Sequence, residues 1–349
     1  AETWVLKSVT VQRATVFSVL LTRPLLELLQ TPAEIIDDAT AYLVIIFLGI
    51  PATILFNLLS NAVRALGDSK TPLYFLIFAC CVNIVLDLVF ILYLHLGVAG
   101  AGIATILSQL LSGILCIFFI IKKVPILRLK KADFQIHYEV IASHLSIALP
   151  MAFQMSIIAI GSLMLQFALN GLGAASVAAY TASQKIESIA TMPLGSFGTA
   201  MATYAAQNYG AGKISRIRKG VFQCILMSGS FSILSGAINI VAGSQLTSIF
   251  VGSQETEVLS LSHTYLVISG CFYFALALLF IYRFTLQGLG KSFIPTVAGV
   301  MELIMRAIGA LVLTGAFGFA GACASNPLAW IGACIPLACS YYRTMKRLN

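Results

Sequence analysis

The sequence predicts an all-α polytopic membrane protein built from two pseudo-symmetric helical bundles. Apolar residues make up 59% of the 349 residues and charged residues 10%, more apolar surface than a soluble fold of this size could hide. Uninterrupted apolar stretches, such as 39–63 and 258–282, exceed the roughly 20 residues that cross a bilayer. Because backbone groups in lipid must be satisfied internally and the alternation of a membrane barrel is absent, these stretches are predicted to be helices.

One pair of apolar segments occurs twice along the chain. The tetrapeptide at 42–45 recurs at 265–268, and the pattern Leu-Gly-x-Ser-x-x-Pro occurs at 66–72 and, at the same offset, at 289–295. The glycine-rich segment at 97–101 returns in similar form at 318–322. In each copy an apolar helix, a tight polar turn and a second apolar helix follow in the same order. A duplicated membrane bundle is the usual construction of a secondary transporter.

Helix breakers divide the chain into about ten predicted spans. Thr31-Pro32 ends the first, and glycine-containing turns near 67, 97, 171, 211, 290 and 318 separate most of the others. We place the spans at about 9–29, 38–64, 72–94, 98–121, 144–169, 174–208, 218–250, 256–287, 294–316 and 320–342. This division predicts an N-terminal bundle at 1–124, a cytoplasmic linker at 125–143 and a C-terminal six-helix bundle at 144–349.

The two copies are predicted to have unequal numbers of helices. Three spans precede the helix that carries Tyr265 in the second copy, but one span precedes the helix that carries Tyr42 in the first. The first bundle would therefore hold about four of six helices, and the chain starts with Ala1 rather than Met. We interpret the sequence as a fragment without two N-terminal spans; a naturally ten-span protein is the alternative.

Charged residues alternate from loop to loop, which predicts the orientation in the membrane. Every second loop is basic, as the positive-inside rule requires, so both termini and the 125–143 linker are predicted to be cytoplasmic. The net charge of +8 then reflects topology, and we expect no nucleic-acid partner. The protein is predicted to be a multi-pass protein of the inner (plasma) membrane. The basic loops include Lys70, Lys122, Lys213, Lys291 and Arg343, and the opposite loops carry Asp37, Asp38, Glu255 and Glu257.

Motifs for enzymatic chemistry are missing from the sequence. The eight cysteines lie in or beside apolar helices without a CxxC pair, and there is no P-loop, GxSxG elbow or metal-binding cluster. We therefore expect neither an enzyme nor a resident cofactor.

Three motifs in order carry a family resemblance. They are Arg-Ala-Leu-Gly-Asp-Ser-Lys-Thr-Pro at 64–72, Gly-Val-Ala-Gly-Ala-Gly-Ile-Ala-Thr at 97–105 and Gln-Asn-Tyr-Gly-Ala-Gly-Lys at 207–213. With this order and spacing the chain resembles the multidrug and toxic compound extrusion (MATE) family over almost its whole length. It looks closest to the prokaryotic branch with a cation site in the N-terminal half.

The resemblance implies particular site residues. That branch places an Asn and an Asp four residues apart on its fifth helix and a Thr on its sixth, and Asn83, Asp87 and Thr105 match these positions. We add Ala101, from the same motif as Thr105, to this cation-coupling set. The family's acid on the first helix has no counterpart in this chain. The acid that other branches carry on the seventh helix is also missing, since the span 144–169 has no carboxylate.

Asp87 is also the sharpest candidate on chemical grounds alone. It is one of three acids deep inside predicted spans, with Glu187 and Glu302, and intramembrane ionisable groups are functional hypotheses by default. Asn83 shares its helix face, and an antiparallel hairpin would bring Thr105 to the same depth. Carboxylate, amide and hydroxyl oxygens suit a hard cation such as Na⁺, while a desolvated carboxylate could hold a proton instead. A hydrogen-bonded structural Asp is the alternative.

The remaining intramembrane polar residues allow two interpretations each. We take Gln154, Lys185 and Glu187 as candidates for lining a substrate cavity, with a structural role as the alternative. Glu302 and Arg306 lie four residues apart on one helix face and are predicted to form a structural ion pair. Arg283, one turn before a cytoplasmic turn, is interpreted as snorkelling to the interface.

These observations and the resemblance predict a cation-coupled antiporter. It would use a Na⁺ or H⁺ gradient to export amphipathic, cationic small molecules by alternating access. We expect it to act as a monomer whose other partner is the bilayer. One alternative is a lipid-linked oligosaccharide flippase of the same superfamily, which should have an Arg- and Lys-rich cavity. The others are an intramembrane enzyme, for which no catalytic constellation is present, and a non-functional truncated fragment.

Overall fold

The computed structural model describes residues 15–27, 34–127, 138–252 and 254–348, and in these ranges the secondary structure is helical, with no β-strand. The chain divides into two compact units, Ala1–Ala142 and Ser143–Asn349. The predicted all-α polytopic membrane fold is confirmed.

The first unit is organised around one central helix. Residues 15–27 form α1, followed by α2 (Ile36–Leu48), α3 (Ile50–Ala65), α4 (Lys70–Asp87) and α5 (Gly97–Lys123). Helix α5 packs against α2, α3 and α4. Its buried positions are mainly glycine, alanine, serine and cysteine, and small residues of this kind let membrane helices approach closely. Gly102 illustrates this, because a Cβ atom there would lie 3.0 Å from the Ile45 side chain.

The second unit contains the longest helices among the described residues. They are α6 (Tyr138–Asn170), which begins just before the unit boundary, then α7 (Ala174–Gly210), α8 (Ile214–Val251), α9 (Thr256–Gly270), α10 (Tyr273–Gly288), α11 (Phe293–Ile308), α12 (Thr314–Phe317) and α13 (Phe319–Arg347). Helix α13 packs against α9, α10 and α11, and α7 packs against α8, α9 and α10. Here too glycines allow close approach, since a Cβ atom on Gly236 of α8 would lie 2.5 Å from the Gly270 carbonyl oxygen at the end of α9.

The internal repeat is visible in the backbone of both units. The turn glycines Gly67 and Gly290 have φ values of 96° and 74°, and Gly97 and Gly318, at the starts of α5 and α13, have φ values of 55° and 58°. These left-handed conformations favour glycine because it has no Cβ. A π-helical segment precedes each of the latter two glycines, at Leu88–Tyr93 and Gly309–Leu313. The repeated sequence thus specifies a repeated backbone.

Two spans that the sequence predicts as single helices are broken. Residues 38–64 are divided between α2 and α3 with a bend of 43°, and residues 256–287 between α9 and α10 with a bend of 49°. Six further helices in the described ranges are long and apolar enough to cross a membrane, which gives up to eight spans if each bent pair counts as one. Of the other two predicted spans, 9–29 is described only as α1, and 174–208 forms the single helix α7.

Asp68 caps the start of α4. Its Oδ1 accepts hydrogen bonds from the backbone N–H groups of Lys70 and Thr71 at 3.1 and 3.0 Å, and its Oδ2 accepts one from the Thr71 hydroxyl at 2.6 Å. The Thr71 hydroxyl and backbone bonds hold the pKa of Asp68 below its ordinary value. The second copy has Lys291 at the matching position, so this cap belongs to the first copy.

Candidate functional site

Asn83 and Asp87 lie one turn apart near the end of α4. Asp87 is the last residue of this helix, and the π-helical segment Leu88–Tyr93 follows immediately. Asn83 Nδ2 and Asp87 Oδ1 are buried atoms that have no hydrogen-bond partner among the described residues. Leaving a buried carboxylate oxygen unpaired costs free energy. A bound cation or proton would remove that cost.

Thr105 lies on α5, the helix that packs against α4. Its hydroxyl donates to the carbonyl oxygen of Ala101 at 3.0 Å rather than to Asp87. This bond uses the hydroxyl's one proton and leaves the lone pairs of its oxygen to accept. Ala101 therefore contacts the Thr105 hydroxyl through its backbone carbonyl oxygen.

A second polar cluster, not foreseen as a unit, surrounds Glu187 in the second unit. Glu187 of α7 is 8% exposed, and its Oε2 accepts a short hydrogen bond from the Tyr265 hydroxyl of α9. Asn326 of α13 donates to the same hydroxyl at 3.3 Å, and the Tyr180 ring packs edge-on against Tyr265 at 5.3 Å. Glu187 Oε1 has no partner in the described part of the chain. Glu187 thus belongs to an interhelical cluster of α7, α9 and α13.

Lys185 lies apart from this cluster. Its ammonium group is 5.6 Å from the centre of the Phe250 ring of α8, a distance at which a cation is attracted to the face of an aromatic ring. Two residues of separation on a helix give Lys185 and Glu187 different faces, and the structure gives them different partners.

The predicted ion pair between Glu302 and Arg306 is wrong. Among the described residues, Glu302 of α11 forms its salt bridge with Arg283 of α10, and the two side chains are 5% and 6% exposed. The interpretation of Arg283 as a snorkelling side chain is therefore also wrong. An ion pair between neighbouring helices lets two buried charges compensate each other.

Gln154 completes this buried ion pair. It is fully buried on α6, and in the orientation that satisfies both amide atoms its oxygen accepts from Arg283 Nε at 3.0 Å and Nη1 at 3.2 Å. Gln154 was predicted as a cavity-lining residue, but here it holds the guanidinium of Arg283 in place. Arg306 has a separate role, because its Nη1 donates to the Ile158 carbonyl oxygen of α6 at 3.2 Å.

The repeat shows why the two copies differ chemically. Arg306 follows Pro295 by as many residues as Asn83 follows Pro72, so the two residues match in the repeat. In the same way Asn326, counted from Gly318, matches Thr105, counted from Gly97. A fixed positive charge thus stands in the second copy where the first has a neutral amide.

Comparison with known proteins supports the resemblance in the sequence. The MatE family pattern matches residues 3–89 and 150–312. The chain belongs to the MatE family. The expected family is confirmed, and it is a family of transporters rather than of enzymes.

Relatives of this MatE chain are named for drug resistance and export. It is 38% identical over 197 residues to the probable multidrug resistance protein YpnP of Bacillus subtilis, covering 55% of the chain and 43% of that protein. It is 28% identical over 293 residues to the probable multidrug resistance protein YoeA of Bacillus subtilis, covering 81% and 62%. It is 24% identical over 308 residues to the multidrug export protein MepA of Staphylococcus saprophyticus, covering 86% and 66%. The chain thus spans about two fifths to two thirds of these relatives.

Solved structures show the same fold. An outward-facing multidrug resistance MATE family transporter of the MOP superfamily matches with a TM-score of 0.91 and 18% identity, covering 99% of this chain and 78% of that one. The Vibrio cholerae MATE transporter VcmN in its bent form matches with a TM-score of 0.84 and 20% identity, covering 99% and 78%. At this identity the likeness concerns the fold alone.

Proposed function

We propose that this MatE chain acts as a cation-coupled antiporter that exports amphipathic, cationic small molecules. The single observation that carries the proposal is the buried Asp87 Oδ1 atom without a partner among the described residues. The names of the relatives, which refer to multidrug resistance and multidrug export, support the substrate class. The transported cation is cargo, either Na⁺ or H⁺.

The coupling step follows from the chemistry of the Asp87 region. Na⁺ prefers several oxygen ligands, and Asp87, Asn83 and the Thr105 hydroxyl are the donors proposed here. A proton would need Asp87 alone. Either cation neutralises the carboxylate at the junction of α4 with its π-helical segment, and such segments often occur at functional sites. The cation shifts the conformational equilibrium by the difference in its affinity for the two states.

Transport in proteoliposomes tests this function. The protein is reconstituted with a fluorescent cationic dye on its cytoplasmic side. An imposed Na⁺ or pH gradient is expected to accelerate dye export several-fold, compared with vesicles in which the gradient has been collapsed. Equal export rates with and without both gradients, from protein that is folded by circular dichroism, would contradict coupling.

The flippase alternative is less well supported by the buried charges. A flippase for pyrophosphate-linked sugars should present free Arg and Lys side chains to its cargo. The buried Arg283 is instead neutralised by Glu302 and held by Gln154. The charges of Arg283 and Glu302 are thus paired with each other inside the second unit.

We propose an inner-membrane location with the basic loops in the cytoplasm. The positive-inside rule supports this orientation, because Lys70 and Lys213 lie in basic loops and Asp37 and Glu255 in opposite ones. Single cysteines are placed at these four positions, in a background without reactive native cysteines. Two of them should be accessible from outside the cell and two from the cytoplasm. A membrane-impermeant thiol reagent added to intact cells is expected to label positions 37 and 255 only. Labelling of all four positions, or of none, would argue against this topology.

A further inference from the structure

The second unit has a pocket that the transport mechanism does not use. Its volume is ≈ 500 Å³, and residues of α8, α10 and α13 line it. Arg218 lies near the start of α8 and Lys346 near the end of α13, so the mouth of the pocket is at the end of the helices that carries the basic loops. Tyr282 of α10 lines its deeper part. Tyr282 precedes the end of α10 at Gly288 by six residues, which corresponds to a depth of about 9 Å.

Positive charge dominates the mouth of this pocket. Its lining contains Arg218 and Lys346 but no carboxylate. Arg218 Nη2 donates to the Met345 carbonyl oxygen at 2.6 Å. This bond covers a carbonyl in the last turn of α13, where the helix dipole would otherwise repel an anion. The remaining N–H groups of the guanidinium can donate to a ligand.

The walls of the pocket are aromatic and aliphatic. The hydroxyl groups of Tyr282 and Tyr342 are 3.4 Å apart, so two phenol groups stand next to the cations. Phe222 and Tyr342 are each 63% exposed, and the partly buried Ile225 extends the α8 wall deeper into the span. An anionic group at the mouth and a hydrocarbon chain along Phe222 and Ile225 would match this arrangement.

We propose that this pocket binds the phosphate headgroup of an anionic phospholipid, with Arg218 and Lys346 holding the phosphate. Basic pockets between membrane helices are suited to such headgroups, and tyrosine is enriched at the membrane interface. A cationic export substrate would be repelled by the two positive charges. Free phosphate would leave the apolar wall on α8 without a ligand, so the lipid fits the pocket better.

Native mass spectrometry of the detergent-purified protein tests the proposal. Titration with phosphatidylglycerol is expected to give one saturable adduct, while phosphatidylcholine at equal concentration gives little. Lys346→Glu is expected to weaken this adduct about tenfold, because reversal of one charge at the headgroup removes an attraction and adds a repulsion. This variant leaves the Arg218 bond to Met345 intact, so the end of α13 stays folded. The same spectra report whether the protein is a monomer.

Arg347→Glu serves as the matched control. It makes the same charge change one residue further along α13, at an exposed position that does not line the pocket. Its phosphatidylglycerol adduct is expected to equal that of the wild type. Equal weakening by both variants would overturn the proposal in favour of general surface attraction. Equal binding of phosphatidylcholine, or full competition by millimolar inorganic phosphate, would also overturn it.

Discussion

Replacement of Asp87 by Asn is expected to reduce gradient-driven export at least a hundredfold while leaving the protein inserted and folded. The substitution keeps the size and polarity of the side chain but removes the charge that binds Na⁺ or H⁺. A coupling cation that binds both conformations equally shifts no equilibrium, so export in the variant should fall to the rate without a gradient. The measurement is dye export in proteoliposomes at matched protein density.

The controls for this variant separate the charge from the neutral ligands. Asn83→Ala and Thr105→Ala each remove one neutral oxygen and leave the charge, so we expect a smaller loss, about tenfold. Asp38→Asn makes the same chemical change at an exposed carboxylate in the first turn of α2 and should leave export unchanged. Undiminished export by Asp87→Asn would exclude this residue from coupling and make Glu187 the next candidate, since it is a buried acid whose Oε1 also lacks a partner among the described residues.

The same variant distinguishes the two coupling ions. If Na⁺ binds at Asp87, added NaCl should raise the melting temperature of the wild type relative to choline chloride, because a ligand of the native state stabilises it. That increase should disappear in Asp87→Asn. If a proton is the coupling ion, NaCl should have no specific effect, and a pH gradient alone should drive export. Sodium-dependent stabilisation that persists in Asp87→Asn would locate the ion elsewhere.

Local features of the fold could be predicted from the sequence because they depend on nearby residues. Apolar length specifies the helices, and repeated glycines specify the turns, including the positive φ values at Gly67 and Gly290. The breaks between α2 and α3 and between α9 and α10 were not predicted. Gly49 lies at the first break, where a Cβ atom would overlap the Ile106 side chain of α5. That constraint comes from a helix more than 50 residues away, which hydropathy along the chain does not reveal.

Which residues share a helix could be predicted, but which side chains pair could not, since the pair expected between Glu302 and Arg306 within α11 is wrong. The spacing of Asn83 and Asp87 is a property of α4 alone, and the structure keeps both on that helix. The partner of Glu187 is Tyr265, 78 residues away, and a choice among distant partners depends on how each helix is rotated in the bundle. The internal repeat could have pointed to two members of the Glu187 cluster. Tyr265 begins the second copy, and Asn326 occupies the position that Thr105 has in the first.

Removal of the Glu302 carboxylate is expected to destabilise the protein strongly. Glu302→Ala leaves the guanidinium of Arg283 buried, with Gln154 as its polar neighbour, and loss of one partner of a buried ion pair costs about 3–5 kcal/mol. Arg283→Met should cost a similar amount of stability, because it leaves the Glu302 carboxylate buried without its counter-charge. The double variant Arg283→Met/Glu302→Leu removes both charges and should regain most of the loss. Thermal unfolding in detergent measures all three.

The three variants of Arg283 and Glu302 form a double-mutant cycle, and a second cycle on Glu302 and Arg306 completes the test. Together they decide between the within-helix pair that the sequence favours and the interhelical pair that the structure shows. Arg306 lies one turn from Glu302 on α11 but donates to the Ile158 carbonyl oxygen. The coupling energy between Glu302 and Arg283 is expected to be at least about 2 kcal/mol, and that between Glu302 and Arg306 below about 0.5 kcal/mol, since coupling is large only for groups in direct contact. The reverse order would restore the pair within α11. It would also leave Arg283, instead of the equally buried Arg306, without a counter-charge.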